Sequence, residues 1–379
     1  MRLLIAGMFL LCAALRAQLL VNPSKAAIAE GYFSDRTHDH PLRCEVSPLH
    51  PQLNYGFRFQ AGYIVRVPMN QFSGPGHMWA TMTKVTPEGT QQPVYLGTSM
   101  KLPVVPKNKS VVDFGGFFLL GEGRYTVDWV LFDDMDRVCR KSWHVEAKLN
   151  GAERGLKIGM DPQTVAPVSF RRWTGQAADV HPLRRLTVWL HAAPIYARSI
   201  KLRAQDRVTL LGSLASLLET LPAQSVKLVV FNLDQQKELF RREDLSPDQF
   251  SQVAQSMNNV ELGLVDIHVL QNKRGHIDLL ADLLNEELSS DKPSDAVVLL
   301  GPATRYLDKL SKLALDTPQG KGPPQFFYFQ FKPYLARAEL SDSLVSAIGK
   351  VKGKTSVIRT AADFAKAIKQ VQAQVAAVE

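Results

Sequence analysis

The sequence predicts a two-domain protein in which an antiparallel β-sandwich precedes an α/β domain with a doubly wound, mostly parallel sheet. The chain has 379 residues, which is room for about two domains. Between residues 42 and 148, apolar and polar side chains alternate with the period of two that half-buried strands require. From Leu186 onward, continuous apolar runs alternate with helical segments, as in a parallel sheet covered on both faces.

The first 17 residues predict a secretory signal peptide that precedes both domains. The basic start at Arg2 is followed by an apolar run from Leu3 to Ala14, and Ala17 offers a small residue for cleavage before Gln18. The alternative is a first buried element of a cytoplasmic domain, but no polar face interrupts the run. No later stretch is long and apolar enough to span a bilayer. We therefore expect a secreted or periplasmic protein without a transmembrane anchor.

The predicted sandwich domain spans residues 25–150. Its clearest strand is Tyr125–Phe132, and a turn at Asp133–Asp136 returns the chain into Arg137–Lys148, which predicts a β-hairpin. Glycines and prolines interrupt the earlier segments at short intervals, as in sandwiches built from several short strands. Further strands are indicated by alternating residues that share one face: Tyr55, Phe57 and Phe59; Tyr63, Val65 and Val67; Met78, Ala80 and Met82.

Two cysteines, Cys44 and Cys139, remain once Cys12 is removed with the signal peptide. An even pair in an oxidising compartment is a disulfide candidate, and two separate buried thiols are the alternative. The stretch Gly121–Tyr125 before a strand resembles the entry to the penultimate strand of bacterial immunoglobulin-like sandwiches. This resemblance implies that Cys44, on the first strand, meets Cys139, on the last.

Residues 151–183 are rich in glycine and proline with little periodicity and predict a linker. The α/β domain follows over residues 184–379. Its first strand, Leu186–Leu190, ends at His191, and leucines at steps of three and four residues then predict a helix. Further strands are predicted at Val226–Phe231, Ala296–Leu300, Phe326–Phe331 and Ser356–Ile358, and further helices begin at Ser246, Ile277, Ser341 and Ala361.

In order, length and spacing, the elements from 184 to 375 resemble a von Willebrand factor A domain. The two-domain arrangement is also similar to a group of uncharacterised secreted bacterial proteins. The family resemblance implies a divalent-metal site built from Asp-x-Ser-x-Ser, a distant Thr and a distant Asp. Here the first motif falls on His191–Ile195, no threonine lies between Thr220 and Thr304, and Gly301–Ala303 stands where the family has its Asp. We therefore expect no metal and no cofactor.

A doubly wound sheet binds ligands in the crevice outside the carboxyl ends of its strands, where the strand order reverses. The alternative for every residue there is an ordinary capping or surface role. The sequence places six candidate binding residues on the rim of this crevice: His191, Tyr196, Asn232, Asp234, Thr304 and Arg305.

The sequence contains none of the familiar hydrolase, metalloprotease, P-loop or dinucleotide-binding motifs. We therefore predict a secreted, non-enzymatic interaction or adhesion-type protein that binds a protein or polymer of the envelope or extracellular space without a metal. The alternative is an extracytoplasmic hydrolase or carbohydrate-active protein that uses the crevice near His191 and Asp234. Nucleic acid is not an expected partner, because the net charge of +9 comes from dispersed basic residues.

Metal independence can be tested by thermal unfolding of the mature protein. Mg²⁺ or Mn²⁺ should leave the Tm unchanged, whereas a metal that binds only the folded state would stabilise it by about 2.7 kcal/mol at a hundredfold excess over its Kd. Zn²⁺ belongs in the same experiment because His191 could bind a softer metal. A saturable rise in Tm with Mg²⁺, abolished by chelator, would contradict the prediction. A rise with Zn²⁺ alone, lost in His191→Ala, would instead indicate a different metal site.

Overall fold

The protein divides into two compact units. The computed structural model describes residues 18–34, 40–72, 77–89, 92–102, 111–175, 182–196, 199–260, 269, 271–316, 324–332 and 342–376. The predicted signal peptide lies outside these residues. Of the described residues, those up to 52 and those in 58–150 and 158–168 form the first unit. The second unit contains 53–57, 151–157 and the residues from 169 onward.

The first unit is a sandwich of two β-sheets. A six-stranded sheet has the order β1-β6-β5-β8-β9-β2, and a four-stranded sheet has the order β10-β7-β4-β3. Strand β2 pairs with β9 in parallel, whereas the β1–β6, β6–β5, β5–β8, β8–β9, β10–β7 and β7–β4 pairs are antiparallel. The strands are β1 (Leu19–Leu20), β2 (His40–Pro41), β3 (Glu45–Leu53), β4 (Phe59–Pro68), β5 (Met78–Pro87), β6 (Val94–Lys101), β7 (Val111–Leu120), β8 (Gly123–Asp133), β9 (Arg137–Ala147) and β10 (Val165–Pro167).

Aromatic and β-branched residues from both sheets fill the interior of the sandwich. Tyr63 and Val65 on β4 share one core cluster with Trp79 on β5 and Trp129 on β8. The alternation predicted for β5 is present, and the face of Met78, Ala80 and Met82 is the outer one, since Trp79 is buried and Met78 is exposed. The Trp79 indole packs against Phe72 and Phe114, with ring centroids 5.3 and 5.5 Å away, and its burial removes a large apolar surface from water.

The segment that contains Tyr55 and Phe57 is also not the strand that alternation predicts. Residues 55–57 form a turn, Phe57 has a φ of 52°, and β4 begins only at Phe59. Both rings pack within the second unit, each with its centroid 5.8 Å from that of Phe364. These aromatic contacts, which sequence periodicity does not encode, replace strand pairing at this point.

The hairpin of β8 and β9 is formed where the sequence predicts it. The Asp133 carboxylate accepts hydrogen bonds from the backbone amides of Met135, at 3.0 Å, and Arg137, at 2.9 Å. The Arg137 guanidinium donates to the same carboxylate at 2.8 Å. Asp136 adopts a positive φ of 56°, which Asp tolerates in turns.

The second unit is built on a six-stranded sheet of order β13-β12-β11-β14-β15-β16. All neighbours are parallel except β12 and β13. The central strands are buried along nearly their whole length, which explains their continuous apolar sequences. The strands are β11 (Leu183–His191), β12 (Ala223–Asn232), β13 (Lys237–Arg242), β14 (Ala296–Pro302), β15 (Gln325–Phe331) and β16 (Lys354–Ile358).

Helices cover both faces of this sheet. On one face, α4 and α5 share a core cluster with strand residues that include Trp189 and Tyr328. On the other, α2 contacts β14, and α6 packs Phe364 against Phe329, with ring centroids 6.0 Å apart. The helices of both units are α1 (Ala26–Ser34), α2 (Ala204–Thr220), α3 (Phe250–Ser256), α4 (Gly275–Leu288), α5 (Ser343–Lys350) and α6 (Ala361–Ala376).

The predicted disulfide between Cys44 and Cys139 is confirmed. The two Cα atoms are 6.2 Å apart, within the range that a disulfide spans. Cys139 lies on β9 of the six-stranded sheet, and Cys44 directly precedes β3 of the four-stranded sheet. The bridge therefore joins the two layers of the sandwich across 95 positions of sequence.

Removing this bridge should destabilise the first unit. A Cys44→Ser/Cys139→Ser variant is expected to lose about 4 kcal/mol of unfolding free energy, because a long crosslinked loop restricts the unfolded chain. Urea unfolding with and without dithiothreitol measures the effect. Reductant should bring the wild type to the stability of the variant and leave the variant unchanged. Equal stability of the oxidised wild type and the variant would contradict the prediction.

Candidate functional site

Five of the six predicted crevice residues follow the carboxyl ends of three neighbouring strands in the second unit. His191 and Asn232 are the last residues of β11 and β12, and Asp234 follows Asn232 by two positions. Thr304 and Arg305 lie two and three positions after the end of β14. The sixth residue, Tyr196, lies in the loop between β11 and α2. The predicted positions therefore lie at one edge of the sheet, although their side chains differ in burial and in hydrogen-bond partners.

His191 is buried in the sheet edge and is neutral. Its ring stacks on Phe231, with centroids 5.3 Å apart, and its Nδ1 lies 3.4 Å from the carbonyl oxygen of Pro302. Since a carbonyl oxygen only accepts, Nδ1 carries the proton. Burial lowers the pKa of His191 to about 4. Its Nε2 has no hydrogen-bond partner among the described residues, so no acid or hydroxyl there forms a catalytic pair with it.

The β14 strand ends against His191, which explains the glycine at position 301. A Cβ on Gly301 would lie 2.7 Å from the His191 Cβ and 3.0 Å from the His191 carbonyl oxygen. Such an approach is shorter than van der Waals contact allows, so a larger residue would push the two strand ends apart. Position 301 serves backbone packing.

Asn232 connects two loops through hydrogen bonds of its carboxamide nitrogen and oxygen. Its Nδ2 donates to the carbonyl oxygen of Ala192 at 2.6 Å, and its Oδ1 accepts from the backbone amide of Gln235 at 2.8 Å. Asn232 is fully buried. It therefore positions the loop after β11 against the turn after β12.

Asp234 and Arg305 form an ion pair at the surface of this edge. The Arg305 Nε lies 2.7 Å from Asp234 Oδ1, and more than half of the Arg305 side chain is exposed. The guanidinium also lies over the ring of Tyr306, 5.8 Å from its centroid. Burial and the nearby Asp234 carboxylate raise the pKa of Tyr306. Both members of the pair are thus partnered, and Arg305 presents the remainder of its guanidinium to solvent.

The sequence did not indicate the aromatic stack that continues from this pair. The Tyr306 ring stacks on His276 of α4, with centroids 4.0 Å apart and planes within 16°. His276 Nε2 lies 3.0 Å from the Asp308 carboxylate. No motif marks these residues, because the stack depends on α4 reaching the loop after β14, and their sequence spacing carries no periodic signal.

Asp342 anchors the loop after β14 by hydrogen bonds. Its Oδ2 accepts from the Thr304 backbone amide at 2.9 Å and from Gln330 Nε2 at 3.0 Å, and its Oδ1 accepts from the Val345 amide at 2.8 Å. Burial raises the pKa of Asp342, although all three donors oppose that shift. Asp342 is the N-cap of α5, whereas the predicted cap, Ser341, lies outside the described residues.

Exposed apolar side chains lie in the two loops that leave β11 and β14, neighbouring strands whose carboxyl ends share this edge. Tyr196 is 57% exposed, Ile200 69% and Leu307 57%. The first loop is held by Asp206 of α2, whose carboxylate accepts from the backbone amides of Ile195, at 3.3 Å, and Arg203, at 2.9 Å. We call Tyr196, Ile200, Arg305 and Leu307 the edge surface.

The described residues contain no group of three or more His, Cys, Asp or Glu side chains arranged to hold a metal ion. Within the same ranges, no helix is long and apolar enough to cross a membrane.

No protein-family model matches the chain, and no curated protein matches it. Among solved structures, the ApaA protein of Bordetella pertussis is similar at 12% identity over 30% of this chain and 99% of its own, with a TM-score of 0.21. Superoxide reductase (neelaredoxin) from Ignicoccus hospitalis is similar at 13% identity over 29% of this chain and 81% of its own, with a TM-score of 0.19. The reduced form of superoxide reductase (neelaredoxin) from Archaeoglobus fulgidus is similar at 13% identity over 29% of this chain and 93% of its own, with a TM-score of 0.18. These values carry no functional inference.

The burial of His191 should make stability depend on pH. Because its pKa in the folded state, about 4, lies below the ordinary value of 6.5, the unfolded chain binds a proton first as the pH falls. Between about pH 7 and pH 5, the wild type should lose about 2 kcal/mol more unfolding free energy than His191→Gln. Urea unfolding across this range measures the difference. Parallel pH profiles of the two proteins would contradict the prediction.

Proposed function

We propose that this is a secreted, non-enzymatic interaction protein that binds a protein or polymer of the envelope or extracellular space through the edge surface. The observation that carries this proposal is the exposure of Tyr196, Ile200, Leu307 and Arg305 in the loops that follow the neighbouring strands β11 and β14. Tyrosine and arginine are enriched among the residues that dominate binding energy at interfaces. Each of the three apolar side chains would contribute about 1.5 kcal/mol or more if a partner buried it fully.

The strand order of the second unit supports an A-domain-like module. In chain order its strands are arranged 3-2-1-4-5-6, with the third strand antiparallel at the edge. The resemblance assigns the first metal-motif position of that family to His191, which is buried, and the region of its acidic ligand to Gly301, which packs against His191. The proposed module therefore binds its partner through side chains of the edge surface and without a bridging metal ion. The immunoglobulin-like character of the first unit stays a prediction.

The state of the crevice residues favours binding over hydrolysis. A hydrolytic site near His191 and Asp234 needs an imidazole next to an acid and a nucleophile. In the described part of the chain, the free Nε2 of His191 meets neither, and Asp234 is paired with Arg305. The Cys44–Cys139 disulfide supports an oxidising, extracytoplasmic compartment.

The proposal is tested by comparing two surface variants of the full mature protein. The test variant is Tyr196→Ser/Ile200→Ser/Leu307→Ser. The control is Leu313→Ser, which replaces another exposed apolar side chain by serine. Leu313 precedes Ala314, whose carbonyl oxygen accepts from Asn285 near the C-terminal end of α4. The N-terminal end of α4 contacts Tyr306 through His276, and the helix is about 20 Å long, so Leu313 lies away from the loop that carries Arg305.

Immobilised wild type should capture a defined component from envelope extracts, which is then purified and titrated against all three proteins. We expect the Kd to rise by about tenfold or more in the triple variant, because buried apolar contacts are lost, and to stay unchanged in Leu313→Ser. Equal affinity of the triple variant and the wild type, with the fold intact by circular dichroism, would contradict the proposal. Turnover of the captured component by the wild type would favour the enzymatic alternative.

A further inference from the structure

The side chain of Gln18 lies in the interior of the β-sandwich, where only 2% of the residue is exposed. Its Nε2 donates to the Tyr63 hydroxyl at 2.6 Å and to Thr83 Oγ1 at 2.9 Å. Tyr63 lies on β4 of one sheet, and Thr83 lies on β5 of the other. The carboxamide nitrogen therefore links the two layers of the sandwich.

The sandwich makes room for this side chain at Gly116 of β7. A Cβ at this position would lie 3.0 Å from Gln18 Cδ and would overlap the hydroxyl of Tyr63, which pairs with Gly116 across the strands. An inward-facing residue of any larger size would thus displace either the tyrosine or the glutamine. The absence of a side chain at position 116 is what admits the carboxamide.

The residues after Gln18 hold it in place. Leu19 and Leu20 pair with β6 as strand β1, and the Val21 amide donates to the Tyr95 carbonyl at 2.9 Å. Helix α1 then lies against the same sheet, where the Glu30 carboxylate binds Lys84 at 2.8 Å and also accepts from the Tyr95 hydroxyl. Release of Gln18 from the interior therefore requires at least the local opening of β1.

An N-terminal glutamine has a reaction open to it that an internal one does not. Its α-amino nitrogen attacks Cδ and forms a new N–Cδ bond, and the Cδ–Nε2 bond breaks. One proton of the amine passes to Nε2, which leaves as ammonia. The product is a five-membered lactam, pyroglutamate, and no oxidant or other reactant is consumed. The leaving nitrogen is the atom that Tyr63 and Thr83 bind in the sandwich. A docked Gln18 must break both hydrogen bonds before it can react.

We propose that Gln18 is the first residue of the exported chain and that the sandwich controls its cyclisation, keeping the carboxamide intact while β1 is docked. The proposal rests on the predicted cleavage after Ala17 and is independent of partner binding at the edge surface. Once cyclised, the residue would lack the Nε2 donor for Tyr63 and Thr83, so the reaction would convert a buried anchor into a loosened N-terminal strand.

The test uses intact-mass spectrometry of the exported protein during incubation at mildly alkaline pH, where the α-amine is largely unprotonated. Wild type should start at Gln18 and lose ammonia about tenfold more slowly than a peptide of residues 18–25, because reaction requires local opening. Thr83→Val should react about tenfold faster than wild type, since Nε2 loses one of its two partners. Thr83→Ser, which keeps the hydroxyl, should restore the wild-type rate.

Thr126→Val is the matched control, because Thr126 lies on β8 of the same sheet with its exposed hydroxyl bound to His144. It should cyclise at the wild-type rate. Tyr63→Phe provides a second variant in case Thr83→Val unfolds, and circular dichroism establishes folding for each. An exported chain that starts elsewhere, a folded wild type that reacts at the peptide rate, or equal rates in Thr83→Val and Thr126→Val would each overturn the proposal. Partner affinity, measured on the same samples, separates this outcome from failure of the proposed function.

Discussion

The carboxyl edge of the second unit depends on one buried carboxylate, that of Asp342. It caps α5, binds Gln330 of β15 and accepts the Thr304 amide at the start of the loop after β14. An unpaired backbone amide or carboxamide in this position would cost about 1–3 kcal/mol. Because three elements share a single acceptor, their relative positions are set together, and the loop that carries Arg305 and Leu307 is held as a consequence.

The polar residues at this edge divide into those that hold the scaffold and those that face outward. Asn232 uses both polar atoms to join two loops, and His191 is a neutral ring stacked in the core. Arg305 is the member of the set that combines a fixed position with exposure. The exposed apolar side chains and the one cation of the edge surface are the groups on which the proposed recognition depends.

The first unit stabilises its interior by different means. Its two sheets are joined by the Cys44–Cys139 bridge and by the carboxamide of Gln18 between Tyr63 and Thr83. The disulfide requires an oxidising compartment. If Gln18 is the mature N-terminus, its neighbourhood is completed only after the signal peptide has been removed. Both features then tie the final stability of the sandwich to export, which agrees with the proposed role outside the cytoplasm.

Local periodicity and turn chemistry by themselves determined much of this protein. They predicted the hairpin at Asp133, the continuous apolar strands of the second unit and the start of a helix at Ser246. The position of the candidate site was predicted from the sequence, because the carboxyl ends of parallel strands lie at one edge of the sheet. The roles of the individual residues were not predicted, because a single sequence does not show that His191 is buried and Arg305 exposed.

Only the tertiary structure decided which face of β5 is buried, why Tyr55 and Phe57 leave the strand pattern, and how Tyr306 meets His276. Each of these outcomes depends on a partner far away in sequence. Periodicity reports the half-buried state of a segment, but the energy of a contact depends on the shape and chemistry of what lies opposite. That information exists only once the chain has folded.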